Sequence, residues 1–158
     1  MTISRFPAGR DDDGQFAGFT CWDGDPAKPW ALEAQNYIRG YVLRHSGIRV
    51  FKWCEGDSLV AVVSFGTRTL GLPLVEPTDY KVWHLEVTGV SVTRQGEGLG
   101  ALVLRETLDV LSAEDPDRVL VTANVHKANL HAIRTLATAG ITPLVPMDDA
   151  YWTFLGEL

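Results

Sequence analysis

Apolar positions along the chain alternate between two periods, and each change of period marks an element. Trp30, Ala34, Tyr37, Ile38, Tyr41 and Val42 recur at helical spacing, which predicts a helix over Trp30–Arg44. Pro29 stands where helices commonly begin and Gly47 supplies a stop, while Gly40 leaves open two short helices in place of one. Ile48–Cys54 and Leu59–Arg68 are rich in β-branched and aromatic residues on either side of Glu55-Gly56-Asp57-Ser58, the pattern of a hairpin. A proline-bearing loop, Gly71–Thr78, then leads to a long strand, Tyr80–Val92. Helical spacing returns at Leu99, Leu102, Leu104, Leu108 and Leu111, predicting a helix over Gly98–Ser112 that Pro116 closes. Arg118–Val125 reads as a buried strand, Asn129–Ala139 as a last helix ending at Gly140, and Tyr151–Leu155 as a final strand. Asp23-Gly24-Asp25-Pro26 has turn chemistry, and Asp11–Asp13 with Gly14 reads as a solvated, charged loop. Strands with helices interspersed predict a mixed α/β sheet.

The 158 residues suit one domain, residues 1–158, with a core of its own. The longest apolar runs, such as Leu59–Phe65, are strand-length and far short of a membrane span. The opening Met-Thr-Ile-Ser-Arg-Phe-Pro lacks the apolar core of a signal peptide, so the expectation is a cytoplasmic protein with no membrane partner. Cys21 and Cys54 have no metal-ligand spacing and read as small core residues. His126 and His131 lack a third ligand, so no metal is expected. A net charge of −6 argues against nucleic acid as a partner and is compatible with a cationic substrate.

The most informative stretch is Val90-Ser-Val-Thr-Arg-Gln95-Gly-Glu-Gly-Leu-Gly100, in which a strand turns through three glycines into a helix. Such a turn brings bare N–H groups to the positive end of a helix dipole, a seat for phosphate. The plainest reading of Gly96-Glu97-Gly98 is a tight connection and nothing more. A dinucleotide fingerprint also fits Gly96-x-Gly98-x-x-Ala101, with Asp115 and Asp117 as acids downstream. The ribose-binding acid, however, belongs at the far end of the next strand, whereas Asp117 precedes Arg118–Val125.

A third reading uses more residues. Val90-x-x-x-x-Gln95-Gly96-x-Gly98-x-Gly100 resembles the acetyl-coenzyme A motif of the GCN5-related N-acetyltransferases (GNAT), with Val92 at a place where proline is frequent. A second segment, Val125-x-x-x-Asn129-x-x-Ala132-Ile133 followed by Gly140-Ile141, is similar to that family's later helix motif, Ile141 standing for the usual aromatic. The two motifs are in register, and the matched region runs from Tyr80 to Ile141.

The resemblance implies the α/β GNAT fold, a mixed central β-sheet with splayed parallel strands flanked by helices. It further implies transfer of acetyl from acetyl-CoA to a primary amine, on a small molecule or a protein amino group, by direct attack and without a metal. Backbone groups at Val90 and Val92 would bond the pantetheine arm. Gln95, Gly96, Glu97, Gly98, Leu99 and Gly100 would hold the pyrophosphate, and Asn129 would approach the coenzyme from the last helix. His84 and Glu86 stand where relatives carry their bases, and the two-residue period of a strand puts both on one face with Val90. His84 is the first choice of base, and Glu86 would orient it, act through water or attract the ammonium. Tyr37 and Tyr41 are candidate acceptor contacts, with helix packing as the plainer reading. Arg94 and Arg134 meet either phosphate or solvent.

One departure stands out: Leu136 occupies the place where many relatives have a tyrosine that protonates the leaving thiolate. Tyr151, Tyr41 and Cys54 are alternative donors. The leucine also motivates a rival reading, an acyl-CoA binding or sensing protein with little turnover. A toxin-type relative acting on charged transfer RNA is a second rival, against which the net charge of −6 argues. The five tryptophans read as core or interface, and the C-terminal aromatics are a candidate surface for a homodimer.

Overall fold

Strand β3 (Ser58–Thr67) is apolar on both faces, so the sheet around it needs cover on both sides. The computed structural model describes residues 2–67, 81–114 and 119–158. In it Ala61, Val63 and Phe65 of β3 belong to one core cluster and Val62 to a second. Helices α3 (Leu99–Glu114) and α4 (Leu130–Thr138) cover the first face, and α1 (Asp13–Ala17) and α2 (Pro29–Gly40) the second. Among the described residues seven strands form one sheet in the order β1 (Ile3–Pro7), β2 (Ile48–Glu55), β3, β4 (Lys81–Val90), β5 (Val119–His126), β7 (Tyr151–Glu157), β6 (Thr142–Pro146). Only β4 and β5 run parallel; every other neighbouring pair is antiparallel.

The elements form where the apolar pattern places them. Leu99, Val103, Leu104, Thr107, Leu108 and Leu111 are the buried stripe of α3. At about 1.5–3 kcal/mol for each large side chain fully buried, that stripe outweighs any deficit of helix propensity. Trp53, only 1% exposed, donates its Nε1–H to Glu106 Oε2 at 2.7 Å and so ties β2 to the same helix. Pro29 occupies the first turn of α2, and Gly40 is the last residue of a single helix that stops short of Arg44. Asn129 caps α4, its Oδ1 accepting from the Ala132 N–H at 3.2 Å.

Three segments differ from the sequence expectation. Residues 11–13 are not loop: a 3-10 turn over Arg10–Asp12 feeds α1, because Phe16, at 0% exposure, is the apolar anchor that folds this charged stretch onto the second core. Edge strands β1 and β6 were not expected, the latter holding Pro143 and Pro146, which an edge tolerates. The expected loop 71–78, and Arg68, Tyr80, Asp115, Pro116, Asp117 and Arg118, lie outside the described residues.

Candidate active site: a wedge between two parallel strands

The parallel pairing of β4 and β5 runs from Lys81↔Val119 to Leu85↔Ala123 and stops. Both strands continue, β4 along β3 to Val90 and β5 along β7 to His126. Between those continuations the sheet is open. The cause lies in β4, where Phe65 pairs with Leu85 but Ser64 pairs with Val87, leaving Glu86 as the extra residue of a β-bulge. A bulge bends its strand and re-aims the side chains around it.

The bulge overturns the expectation that His84, Glu86 and Val90 share a face. Trp83 and Leu85 face the α3/α4 core, whereas two residues later Val87 faces the α1/α2 core. Val90 packs on the α3/α4 side with Ala61, its partner in β3. His84 is opposite, on the α2 face, paired across to Gly66 and Thr122. Simple alternation fails because the extra residue at Glu86 reverses the phase.

The backbone that faces the opening follows from the hydrogen-bond ladder. Ser91 N–H bonds to Val60 C=O at 2.9 Å, so the next pairs in register, Ala61↔Val90 and Val63↔Thr88, are the non-hydrogen-bonded ones. The amides of Val90 and Thr88 therefore point away from β3, into the wedge. Thr88 carries no signal beyond strand propensity, and only the register singles it out. Val92 is different: its N–H is already given to Thr20 C=O at 2.9 Å, so only its carbonyl remains for a ligand.

At the mouth of the wedge stands the glycine loop. Gly96 and Gly98 have φ +82° and +78°, and no atom lies within 4 Å of the Cβ either would carry. Both requirements for glycine are met, a left-handed backbone and open space above it. The N–H groups of Leu99, Gly100 and Ala101, in the first turn of α3, have no intrahelical acceptor. Leu99 itself is buried beneath the loop, and a Cβ on Gly100 would stand 3.8 Å from Val90 and 4.0 Å from His131 Nε2, so α4 closes against the same corner. Gln95 turns its side chain inward, Nε2 donating to Cys21 C=O at 2.7 Å and Val90 C=O at 3.0 Å. Arg94 is committed to carboxylates: it pairs with Glu55 and, at 2.8 Å, with Glu97. The exposed carboxylate of Glu97 is thereby held at the loop's rim.

On the α2 face a polar track crosses an otherwise apolar strand. Val119, Val121, Ala123 and Val125 of β5 face the α3/α4 core, so Thr122, Asn124 and His126 face α2. His84, 5% exposed, lies 2.8 Å through Nδ1 from Thr122 Oγ1, and that hydroxyl also reaches Trp83 C=O at 3.5 Å. The Thr122 hydroxyl therefore anchors the imidazole through Nδ1. Asn124 Oδ1 accepts from Thr153 Oγ1 at 2.9 Å. His126 is flanked by Trp30 (centroids 4.8 Å) and Tyr151 (5.1 Å, edge-on), and Tyr151 donates its hydroxyl to Glu33 of α2. Burial and then the Glu33 carboxylate push the Tyr151 pKa far up.

Of the remaining candidates, Tyr37 lies one turn beyond Glu33 and packs on the second core, stacked at 6.3 Å with Tyr41, which is 63% exposed past the end of α2. Leu136 is 6% exposed within the α3/α4 core. Burial raises the Cys21 thiol to about 11, so it stays protonated and inert at neutral pH. A surface depression of about 570 Å³ beside Lys52 and Asp57 lies away from the wedge, and its cation is neutralised by Asp12 at 2.5 Å.

An open parallel pair with a glycine loop over its mouth is the architecture of a coenzyme-dependent acyl-transfer fold, and the comparisons agree. The family model described as acetyltransferase (GNAT) family matches residues 16–141, and the chain belongs to that family. No curated protein sequence matches it. Among solved structures it is similar to Arabidopsis thaliana NAA60 in complex with a bisubstrate analogue (13% identity, TM-score 0.70, 99% of each chain covered). It is also similar to PaiA N-acetyltransferase from Thermoplasma acidophilum in complex with coenzyme A (10% identity, TM-score 0.69, 100% of each chain). A third is the AtaT toxin bound to the C-terminus of the antitoxin AtaR and acetyl-CoA (14% identity, TM-score 0.70, 97% of this chain and 92% of that one). At these identities the likeness is one of fold.

Proposed function

We propose that the protein transfers acetyl from acetyl-CoA to a primary amine, with the coenzyme entering the β4/β5 wedge and the amine arriving on the α2 face. The observation that carries this reading is the conjunction of an open strand edge at Thr88 and Val90 with the positive-φ glycines at its mouth. The pantetheine amides would pair with that edge as an added strand does. Pyrophosphate would lie on the N–H groups from Gln95 to Gly100, at the positive end of the α3 dipole. Asn129 spends its oxygen on the α4 cap, so its amide nitrogen is the group that would turn to the coenzyme.

Chemistry at the wedge apex needs a neutral amine. His84 Nε2 would take the ammonium proton, its ring held by Thr122. Glu86, on the bulge at the apex, would draw the ammonium in. The amine nitrogen then attacks the thioester carbon, the C–N bond forms, the C–S bond breaks, the thiolate departs with the electron pair, and the nitrogen gives up its second proton to that thiolate or to water. Leu136 has no proton to give, and none is required of it. A thiol of ordinary pKa, about 8.5, can leave as thiolate near neutral pH and take its proton from the imidazolium or from water.

A panel of small amines and amino-terminal peptides, assayed for coenzyme A release from acetyl-CoA, tests this reading. Turnover on an amine supports it. Tight acetyl-CoA binding with no turnover on any acceptor would favour a coenzyme-sensing protein, and salt-sensitive acetylation of charged transfer RNA alone would favour the toxin-type activity.

A further inference from the structure

The polar track does not end at His84. Four residues along β5, at about 3.3 Å per residue, it reaches a second cluster roughly 13 Å away. There Trp30 and Tyr151 flank the His126 ring, and Glu33 accepts from the Tyr151 hydroxyl. The backbone under Tyr151 is fixed as well, since Asp148 Oδ1 accepts the N–H groups of Ala150 and Tyr151, each at 2.7 Å. Those two bonds, and then the nearby His126 and Lys127, hold the Asp148 pKa below the usual carboxylate range. A carboxylate braced by a phenol beside aromatic rings, with Trp30 tilted at 34° and Tyr151 edge-on to His126, is a receptor for a cation, because ring faces and carboxylate attract the same charge. A clasp between α2 and β7 alone would need neither the grouped rings nor an exposed carboxylate.

We propose that Trp30, Glu33, His126 and Tyr151 seat a second cationic group of the acceptor, so that the preferred substrates are extended amines with positive charge at both ends. This rests on the reading of the chain as an amine acetyltransferase. One ammonium is deprotonated at His84 and acetylated, while the other stays charged against Glu33 and sets the reach of the substrate.

The probes are octamethylenediamine, tetramethylenediamine and octylamine, titrated calorimetrically into the protein loaded with coenzyme A and assayed separately for turnover with acetyl-CoA. The long diamine should bind about ten-fold more tightly than either other amine, equivalent to ~1.4 kcal/mol. Octylamine lacks the second charge and the short diamine cannot span the track. In Glu33→Gln, an exposed and conservative change, that preference should fall to about one. Tyr151→Phe should reduce it part of the way, whereas a purely structural clasp would lower Tm and leave the preference intact. Equal binding of all three amines, or an undiminished preference in Glu33→Gln, would overturn the seat. Retained preference without turnover would count against the enzymatic reading and leave the seat supported.

Discussion

Gly98→Ala separates the cost of a strained backbone from the cost of a blocked phosphate site. Gly98 has φ +78° and nothing within 4 Å of its would-be Cβ, so an alanine meets no protein atom and bears only the left-handed conformation. That conformation costs an L-residue about 1–2 kcal/mol. For a chain of this length each kcal/mol shifts Tm by about 2–4 °C, giving a drop of roughly 2–8 °C. Gly47 is a matched control: φ +84°, equally open, but in the connection between α2 and β2, away from the wedge. Gly47→Ala should melt like Gly98→Ala. Coenzyme affinity should split the two, because with the proposed pyrophosphate site the methyl at Gly98 would stand in the path of a phosphate oxygen. Losing one hydrogen bond to a charged group costs about 1.5–3 kcal/mol, or roughly ten- to a hundred-fold in Kd. Thermal melts with calorimetric titration of acetyl-CoA measure both quantities. Wild-type Kd in Gly98→Ala would refute the assignment of the loop to the pyrophosphate.

Other outcomes follow from the same geometry. His84→Gln should lower kcat by about 10²–10⁴-fold and change the pH–rate profile; an unchanged profile would exclude His84 as base. Gly89→Val should destabilise by about 1–3 kcal/mol in denaturant melts through overpacking, since even one added Cβ would stand 2.5 Å from Ile38 Cδ1. Leu136→Ala should cost about 2–5 kcal/mol of stability without shifting the pH profile, as befits a core residue. Burial works to raise the Asp12 pKa, but bonds from Lys52 and the Gly9 N–H outweigh it and the net shift is downward. A depressed folded pKa contributes stability that is present above the unfolded value and lost as pH falls through the folded one. Asp12→Asn should therefore flatten the acid limb of stability below about pH 4 and remove its advantage at neutral pH, measured by denaturant melts across pH.

What was legible in the sequence is what local chemistry determines. Glycines forced to positive φ, a glycine stop at Gly140 and a leucine stripe each carry their reason within a few residues, so the strand-to-helix turn, α4 and α3 were legible. The sense of the β4 side chains did not, because a bulge depends on the partner strand: nothing within β4 distinguishes Glu86 as the residue without a counterpart in β3. Strand β6 was hidden by prolines that exclude a central strand but not an edge. The pairing of Tyr151 with Glu33 joins residues 118 positions apart, a separation no periodicity spans. Arg94 illustrates the same limit, because its carboxylate partner Glu55 comes from the turn end of the β2–β3 hairpin.

A crystal structure of the acetyl-CoA complex decides whether the β4/β5 wedge is the coenzyme site. It should show pantetheine amides bonded to the backbone of Thr88 and Val90, pyrophosphate on the N–H groups of Gln95–Gly100, and the acetyl carbon at the Leu85/Ala123 apex facing His84 and Glu86. Coenzyme bound anywhere that leaves the β4/β5 wedge empty would contradict that assignment.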